Sequence, residues 1–136
     1  ILTMLKLHSE KESISVVYDQ IGSPTSAKEL SKVCWQIIKF RKTKKLPFIL
    51  HWSDAGVASW YDLAIAVGEI GLELGLIEKK AFVNPIKTKD YPLPARRPKY
   101  SILDTQNTSR LLEMSPSHWR INLYDILNEY KKINKK

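Results

Sequence analysis

The chain is poor in the residues from which most metal, redox and nucleophilic sites are built. Its single cysteine, Cys34, excludes an internal disulfide framework and fits a reducing compartment, so a cytoplasmic location is expected. Val33 and Trp35 flank it in an apolar helical stretch, which favours a packed thiol over a nucleophile. The three histidines, His8, His51 and His118, lie far apart and share no ligand spacing with Cys34 or a carboxylate pair, which argues against zinc. Only five glycines occur, and none makes a Gly-rich loop between strand and helix; Gly68 and Gly71 fall inside a helical pattern instead. No apolar run approaches the roughly 20 residues that span a bilayer, and Ile1-Leu2-Thr3-Met4 lacks the layout of a signal peptide. Internal repeats and low-complexity segments are missing too. A chain that opens at Ile1 is expected to be part of a longer polypeptide.

What is present suffices for one domain. The 136 residues are 43% hydrophobic and 26% charged, enough for a real core and too ordinary in charge for disorder. The net charge of +8 raises the question of nucleic acid. The basic residues are bunched, however, with Lys39, Arg41, Lys42, Lys44 and Lys45 at a helix end and Lys131, Lys132, Lys135 and Lys136 in the tail. Lysines at helix C-termini complement the macrodipole and mark a solvated end. Without interleaved aromatics or a DNA-reading motif, no nucleic-acid partner is expected.

Periodicity outlines an α+β chain of about four helices and a few short strands. Leu2 and Leu5 suggest a short amphipathic helix within 1–12, and Ile14, Val16 and Val17 a strand. A helix from Ala27 to about Arg41 places Leu30, Val33, Cys34, Ile37 and Phe40 on one face, with Lys28, Lys32 and Lys39 in water. Phe48 to Trp52 reads as a buried strand. After a turn at Ser53-Asp54-Ala55-Gly56, Ser59 and Asp62 form a capping box for a helix whose apolar face is Trp60, Leu63, Val67, Ile70 and Leu74. Gly75 can end it, and so apolar a helix is expected to be covered on more than one side. Residues 77–103 contain Pro85, Pro92, Pro94 and Pro98, which argues against regular helix or central strand. A short helix after Asp104 and a last one from Asn122 to about Ile133 complete the outline, the latter started by Asn122 and Asp125 with Leu123, Ile126, Leu127 and Tyr130 buried.

Two stretches carry chemical information. In Val16 to Thr25, Gly22 and Pro24 break a strand, and Ser26 opens a helix with Glu29 three residues on, a second capping box. Such a junction aims backbone N–H groups at one spot and suits an anion, although many strand-turn-helix junctions look alike. In Thr88 to Asp104, prolines fix the path of the chain at low entropic cost. An arginine held in this way suits bidentate contact with phosphate oxygens; the alternative is a proline-rich surface loop with incidental arginines. Asp62, Glu69 and Glu73 line a solvated helical stripe and suit solubility better than acid–base work.

The residues Asp19-Gln20-x-Gly22-x-Pro24-Thr25 resemble the signature that begins the substrate-binding part of dTDP-4-dehydrorhamnose reductases, of the extended short-chain dehydrogenase/reductase group. Tyr91-Pro92-x-Pro94-Ala95-x-Arg97-Pro98 followed by Ser101-x-Leu103-Asp104 is similar to their late motif. His51-Trp52-Ser53 with Gly56, and Ser59 to Ala64, resemble their middle strand-turn-helix, and Trp119 and Leu123 their closing segment. The resemblance covers nearly the whole chain. It implies the C-terminal substrate-binding part of a Rossmann-type reductase that uses NADPH to reduce the C4 keto group of dTDP-4-dehydro-L-rhamnose, giving dTDP-L-rhamnose for bacterial surface polysaccharides.

In that family an amino-terminal Rossmann domain binds the cofactor and carries the catalytic Tyr and Lys. No Tyr-x-x-x-Lys exists here: four residues beyond Tyr18, Tyr61, Tyr91, Tyr100, Tyr124 and Tyr130 stand Gly22, Ile65, Ala95, Asp104, Asn128 and Asn134. The chain is thus expected to hold no catalytic residue and no NADPH, and to be inactive by itself. The resemblance implies that Asp19, Gln20, Gly22 and Thr25 shape the sugar-nucleotide side of a cleft, that Arg97 faces the diphosphate, and that Tyr100 and Ser101 assist. A regulatory or nucleotide-sugar-binding subunit of the same family is the alternative. Left open are a homodimer, NADPH against NADH, magnesium dependence and the exact deoxy-sugar.

Overall fold

A computed structural model describes residues 1–43, 45–91 and 94–134. Pro92 and Leu93 of the late motif, and Lys44, Lys135 and Lys136 of the basic clusters, lie outside the described residues. The elements in chain order are α1 (Leu2–Glu10), β1 (Ser13–Val17), β2 (Ile21–Gly22), α2 (Ala27–Phe40), β3 (Ala58–Ser59), α3 (Trp60–Glu73), β4 (Phe82–Ile86), α4 (Gln106–Leu112) and α5 (Trp119–Asn134), with a 3-10 turn at Thr88–Asp90. The α+β class is therefore as expected, with five described helices instead of about four.

The molecule is built around α3. Its start is set by the reciprocal box, in which Ser59 Oγ accepts from the Asp62 N–H at 3.1 Å and Asp62 Oδ2 accepts from the Ser59 N–H at 2.8 Å. Its end is set by Gly75 at φ +66°, a conformation that lets the Leu76 N–H return to the Gly71 carbonyl at 2.8 Å. One side of α3 packs Ala66, Val67, Ile70 and Leu74 against Leu5 of α1 and Trp119, Leu123 and Leu127 of α5. The other side brings Ala64 onto Ile14 of β1 and Val83 of β4. The expectation of cover on more than one side holds, and it is met within the chain. No described helix is long and apolar enough to cross a membrane.

β1 and β4 form a parallel pair in the register Ser13↔Phe82 to Val17↔Ile86. β4 is an edge strand of a two-stranded pair, which the exclusion of regular helix or central strand from 77–103 does not foresee. Pro85 is tolerated because residues alternate across a ladder: the Phe82 N–H donates to Glu12 and the Ile86 carbonyl accepts from Tyr18, so the Pro85 nitrogen faces the outer edge. The short β2 and β3 pair antiparallel, Ile21 opposite Ser59 and Gly22 opposite Ala58.

Other expectations need correction. Phe48 to Trp52 is not a strand; Phe48 is 101% exposed and Ile49 69%. Apolar character alone suggested burial there, but the segment runs along the surface, tied to the body by the His51 N–H donating to Thr108 Oγ1. The face drawn for α2 is largely bare: only Val33 is buried, Leu30 is exposed, Cys34 is an exposed free thiol and Trp35 is 65% exposed. Neighbouring α4 covers one narrow stripe, where Gln36 Nε2 donates to the Leu112 carbonyl at 3.2 Å.

α5 begins at Trp119, before Asn122. Asn122 is buried in the helix and is not its start, because its amide is drawn to Asp54 Oδ2 at 2.7 Å. The capping box expected at Ser26 is half formed. Ser26 Oγ accepts from the Glu29 N–H at 3.3 Å, but the Ser26 N–H goes to Asp54 Oδ2 at 2.9 Å and the Glu29 carboxylate pairs with Lys32.

Candidate functional site

Where β1 and β4 end, their following residues are clasped together. Asp19 Oδ1 accepts from both the N–H and the hydroxyl of Thr88, at 2.8 and 2.7 Å. The Thr88 hydroxyl holds the Asp19 carboxyl below the usual aspartate range, with lesser help from the Thr88 N–H and the Lys99 charge; desolvation opposes them. The next residue, Gln20, donates from Nε2 to Thr88 Oγ1 at 3.1 Å and accepts at Oε1 from the Trp60 indole at 3.2 Å.

The early and late motifs then meet directly. The Ile21 N–H donates to the Lys99 carbonyl at 2.8 Å and the Ser101 N–H to the Ile21 carbonyl at 2.9 Å, a parallel bridge centred on Ile21 and Tyr100. Ile21 is thus held on one side by Ser59 and on the other by Tyr100.

Two hollows open beside this junction. The larger, about 660 Å³, lies between α1, β1, α3 and the segment after β4, with an apolar floor that includes Met4, Leu7, Val16 and Ala64. Lys89, Arg96 and Arg97 give it a cationic margin. The smaller, about 280 Å³, lies among residues of 20–24, 58–60 and 97–101. Gln20, Trp60, Leu63 and Arg97 belong to both and form the partition between them.

Of the residues singled out from sequence, Gln20 and Arg97 line both hollows, and Gly22 and Ser101 line the smaller. Gly22 and Ser101 are close, since a Cβ on Gly22 would stand 3.1 Å from Ser101 Oγ. Asp19, Thr25 and Tyr100 lie outside both walls. The Thr25 hydroxyl donates to the Ser23 carbonyl at 2.9 Å and accepts from the Asp54 N–H at 3.4 Å, so it is committed to the turn. The Tyr100 backbone holds the bridge while its side chain is exposed. Trp60 and Thr88 were not among the site residues read from sequence. Trp60 looked like part of a buried helix face, and Thr88 carried no signal beyond standing first in the proline-stiffened segment.

Asp54 Oδ2 accepts the N–H of Ser26, the residue before α2, and Asp62 Oδ2 that of Ser59, the residue before α3. A carboxylate therefore stands at each helix start, and like-charge repulsion disfavours a second anion there. Among the described residues, no group of three or more His, Cys, Asp or Glu could hold a metal ion.

The model of the RmlD substrate binding domain matches residues 1–132. The dTDP-4-dehydrorhamnose reductase of Aggregatibacter actinomycetemcomitans is 36% identical over 127 residues, 91% of this chain and 43% of that protein. A dTDP-4-dehydrorhamnose reductase crystal structure from Clostridium acetobutylicum superposes with a TM-score of 0.79 at 29% identity, covering 96% of this chain and 43% of that one. The Bacillus anthracis dTDP-4-dehydrorhamnose reductase, solved in complex with NADP, gives a TM-score of 0.75 at 33% identity over 94% of this chain and 42% of that one. The chain spans about two fifths of the length of these relatives. A match over nearly every residue, with both motifs meeting at one partitioned hollow, means that this chain belongs to the RmlD substrate binding domain family.

Proposed function

We propose that residues 1–136 are the C-terminal, sugar-nucleotide-binding part of a dTDP-4-dehydrorhamnose reductase, which reduces dTDP-4-dehydro-L-rhamnose with NADPH. The observation that carries this reading is the convergence of the two motifs: Ile21 bridges to Tyr100, and Gln20 and Arg97 stand in one partition. A nucleoside diphosphate-sugar needs a cationic centre flanked by two differently lined hollows. Arg97 lines both an apolar space of about 660 Å³ and a smaller one of about 280 Å³, which supports assigning that centre to it. Gln20, Gly22 and Ser101 then face the ligand, while Asp19, Thr25 and the Tyr100 backbone hold the walls. The hydride donor and its proton donor are assigned to a Rossmann part of the same polypeptide, outside these residues.

Replacing Arg97 by alanine in the intact protein is expected to weaken thymidine diphosphate binding by at least about tenfold, since charge-assisted hydrogen bonds contribute about 1.5–3 kcal/mol. Titration calorimetry reads this directly. Unchanged affinity would remove Arg97 from the phosphate site.

A further inference from the structure

Four side chains run in line from the end of the sheet to the partition between the hollows. A hydroxyl owns one proton. Thr88 gives its proton to Asp19 Oδ1 at 2.7 Å, so its oxygen is left to accept, and it accepts from Gln20 Nε2 at 3.1 Å. That fixes the amide: Oε1 faces Trp60, whose indole N–H can only donate, at 3.2 Å. Every step has one permitted direction. With the amide reversed, Nε2 would oppose the indole N–H and Oε1 would oppose a Thr88 oxygen that has no proton left to give. After these bonds Gln20 retains one N–H and one lone pair, and it lines both hollows.

We propose that Thr88 is the positioning residue that orients the Gln20 amide, so that Gln20 offers an adjacent donor and acceptor to a ligand group that both donates and accepts. This rests on the sugar-nucleotide reading above, within which a hexose hydroxyl and the imide edge of the pyrimidine share that chemistry. Trp60 completes the device. By accepting the indole N–H, Gln20 also holds in place a half-exposed ring that divides the hollows.

The test pairs a spectroscopic reading with binding, both on the intact protein. The Trp60 indole N–H resonance is followed by NMR, and affinities for thymidine diphosphate and dTDP-glucose are measured by calorimetry. Thr88→Val is expected to shift the Trp60 resonance and weaken binding about tenfold. Thr88→Ser, which keeps the hydroxyl and drops the methyl, is expected to restore both; a packing role for the methyl would predict the reverse. Weakening confined to dTDP-glucose identifies the hexose hydroxyl as the partner, and equal weakening of both ligands identifies the base. An unmoved Trp60 resonance in Thr88→Val overturns the proposal, as does a moved resonance with both affinities intact. Should Thr88→Val not fold, Gln20→Met removes the amide at similar volume and is held to the same affinity loss. Wild-type protein that binds neither nucleotide overturns the underlying sugar-nucleotide reading instead, and the Trp60 resonance still reports on the relay.

Discussion

A methyl group at Gly68 would come within 2.7 Å of the His8 ring. That ring is buried, and its Nε2 is hydrogen-bonded to the Ala64 carbonyl at 2.9 Å, so it cannot swing away. Helix propensity favours alanine over glycine by about 1 kcal/mol, but overpacking a core costs about 1–3 kcal/mol. Gly68→Ala is therefore expected to lower stability by about 1 kcal/mol, read as a lower melting temperature. The same change at Gly71 meets the end of the flexible Leu5 side chain and should be milder. The sequence marks these glycines as small positions in a helix; nothing in it couples His8 to Gly68, because the contact joins elements distant in the chain. Asp19 was legible as part of a motif, but its structural partner Thr88 was not. Its lowered folded pKa stabilises the native state fully above the ordinary aspartate range, and that contribution fades as pH falls through the folded value. The stability difference between wild type and Asp19→Asn should accordingly close on acidification, as followed by urea unfolding at successive pH values.

Helices announced by caps and long periodicity were readable: α1 and α3 lie where spacing put them, and α4 follows Asp104. Elements decided by distant partners were not. Asp54 shows why. It looked like one residue of a turn, yet its buried carboxylate accepts the Ser26 N–H and the Asn122 amide, joining the start of α2 to the first turns of α5. This single group displaced Glu29 from the expected box and drew Asn122 inside its helix. Asp54→Ala is expected to destabilise by about 3 kcal/mol, since it strands two buried donors, and Asp54→Asn by less; urea melts distinguish them. β4 was missed for a related reason. A proline reads as a break unless the side on which its nitrogen falls is known, and only the pairing with β1 shows that.

At the scale of the whole molecule, the halves of the site were legible as motifs, while their meeting was not. The Ile21–Tyr100 bridge closes over a long stretch of intervening chain, and no local pattern encodes such a closure. A carboxylate stands at the start of both α2 and α3, from Asp54 and Asp62 respectively, and the chain carries no Tyr-x-x-x-Lys. A preparation of these 136 residues is therefore expected to leave NADPH absorbance at 340 nm unchanged when dTDP-4-dehydrorhamnose is supplied, and measurable oxidation would refute the division of labour proposed here.

The small parallel sheet has one more implication. Among the described residues β4 pairs with β1 alone, and its outer rim is a template on which a stray strand from a crowded, partly unfolded neighbour could stack. Pro85 turns its ring toward that rim, so a would-be third strand finds a rung missing at mid-length. The proline that hid the strand from view thus leaves its outer rim one donor short for fibrous self-addition.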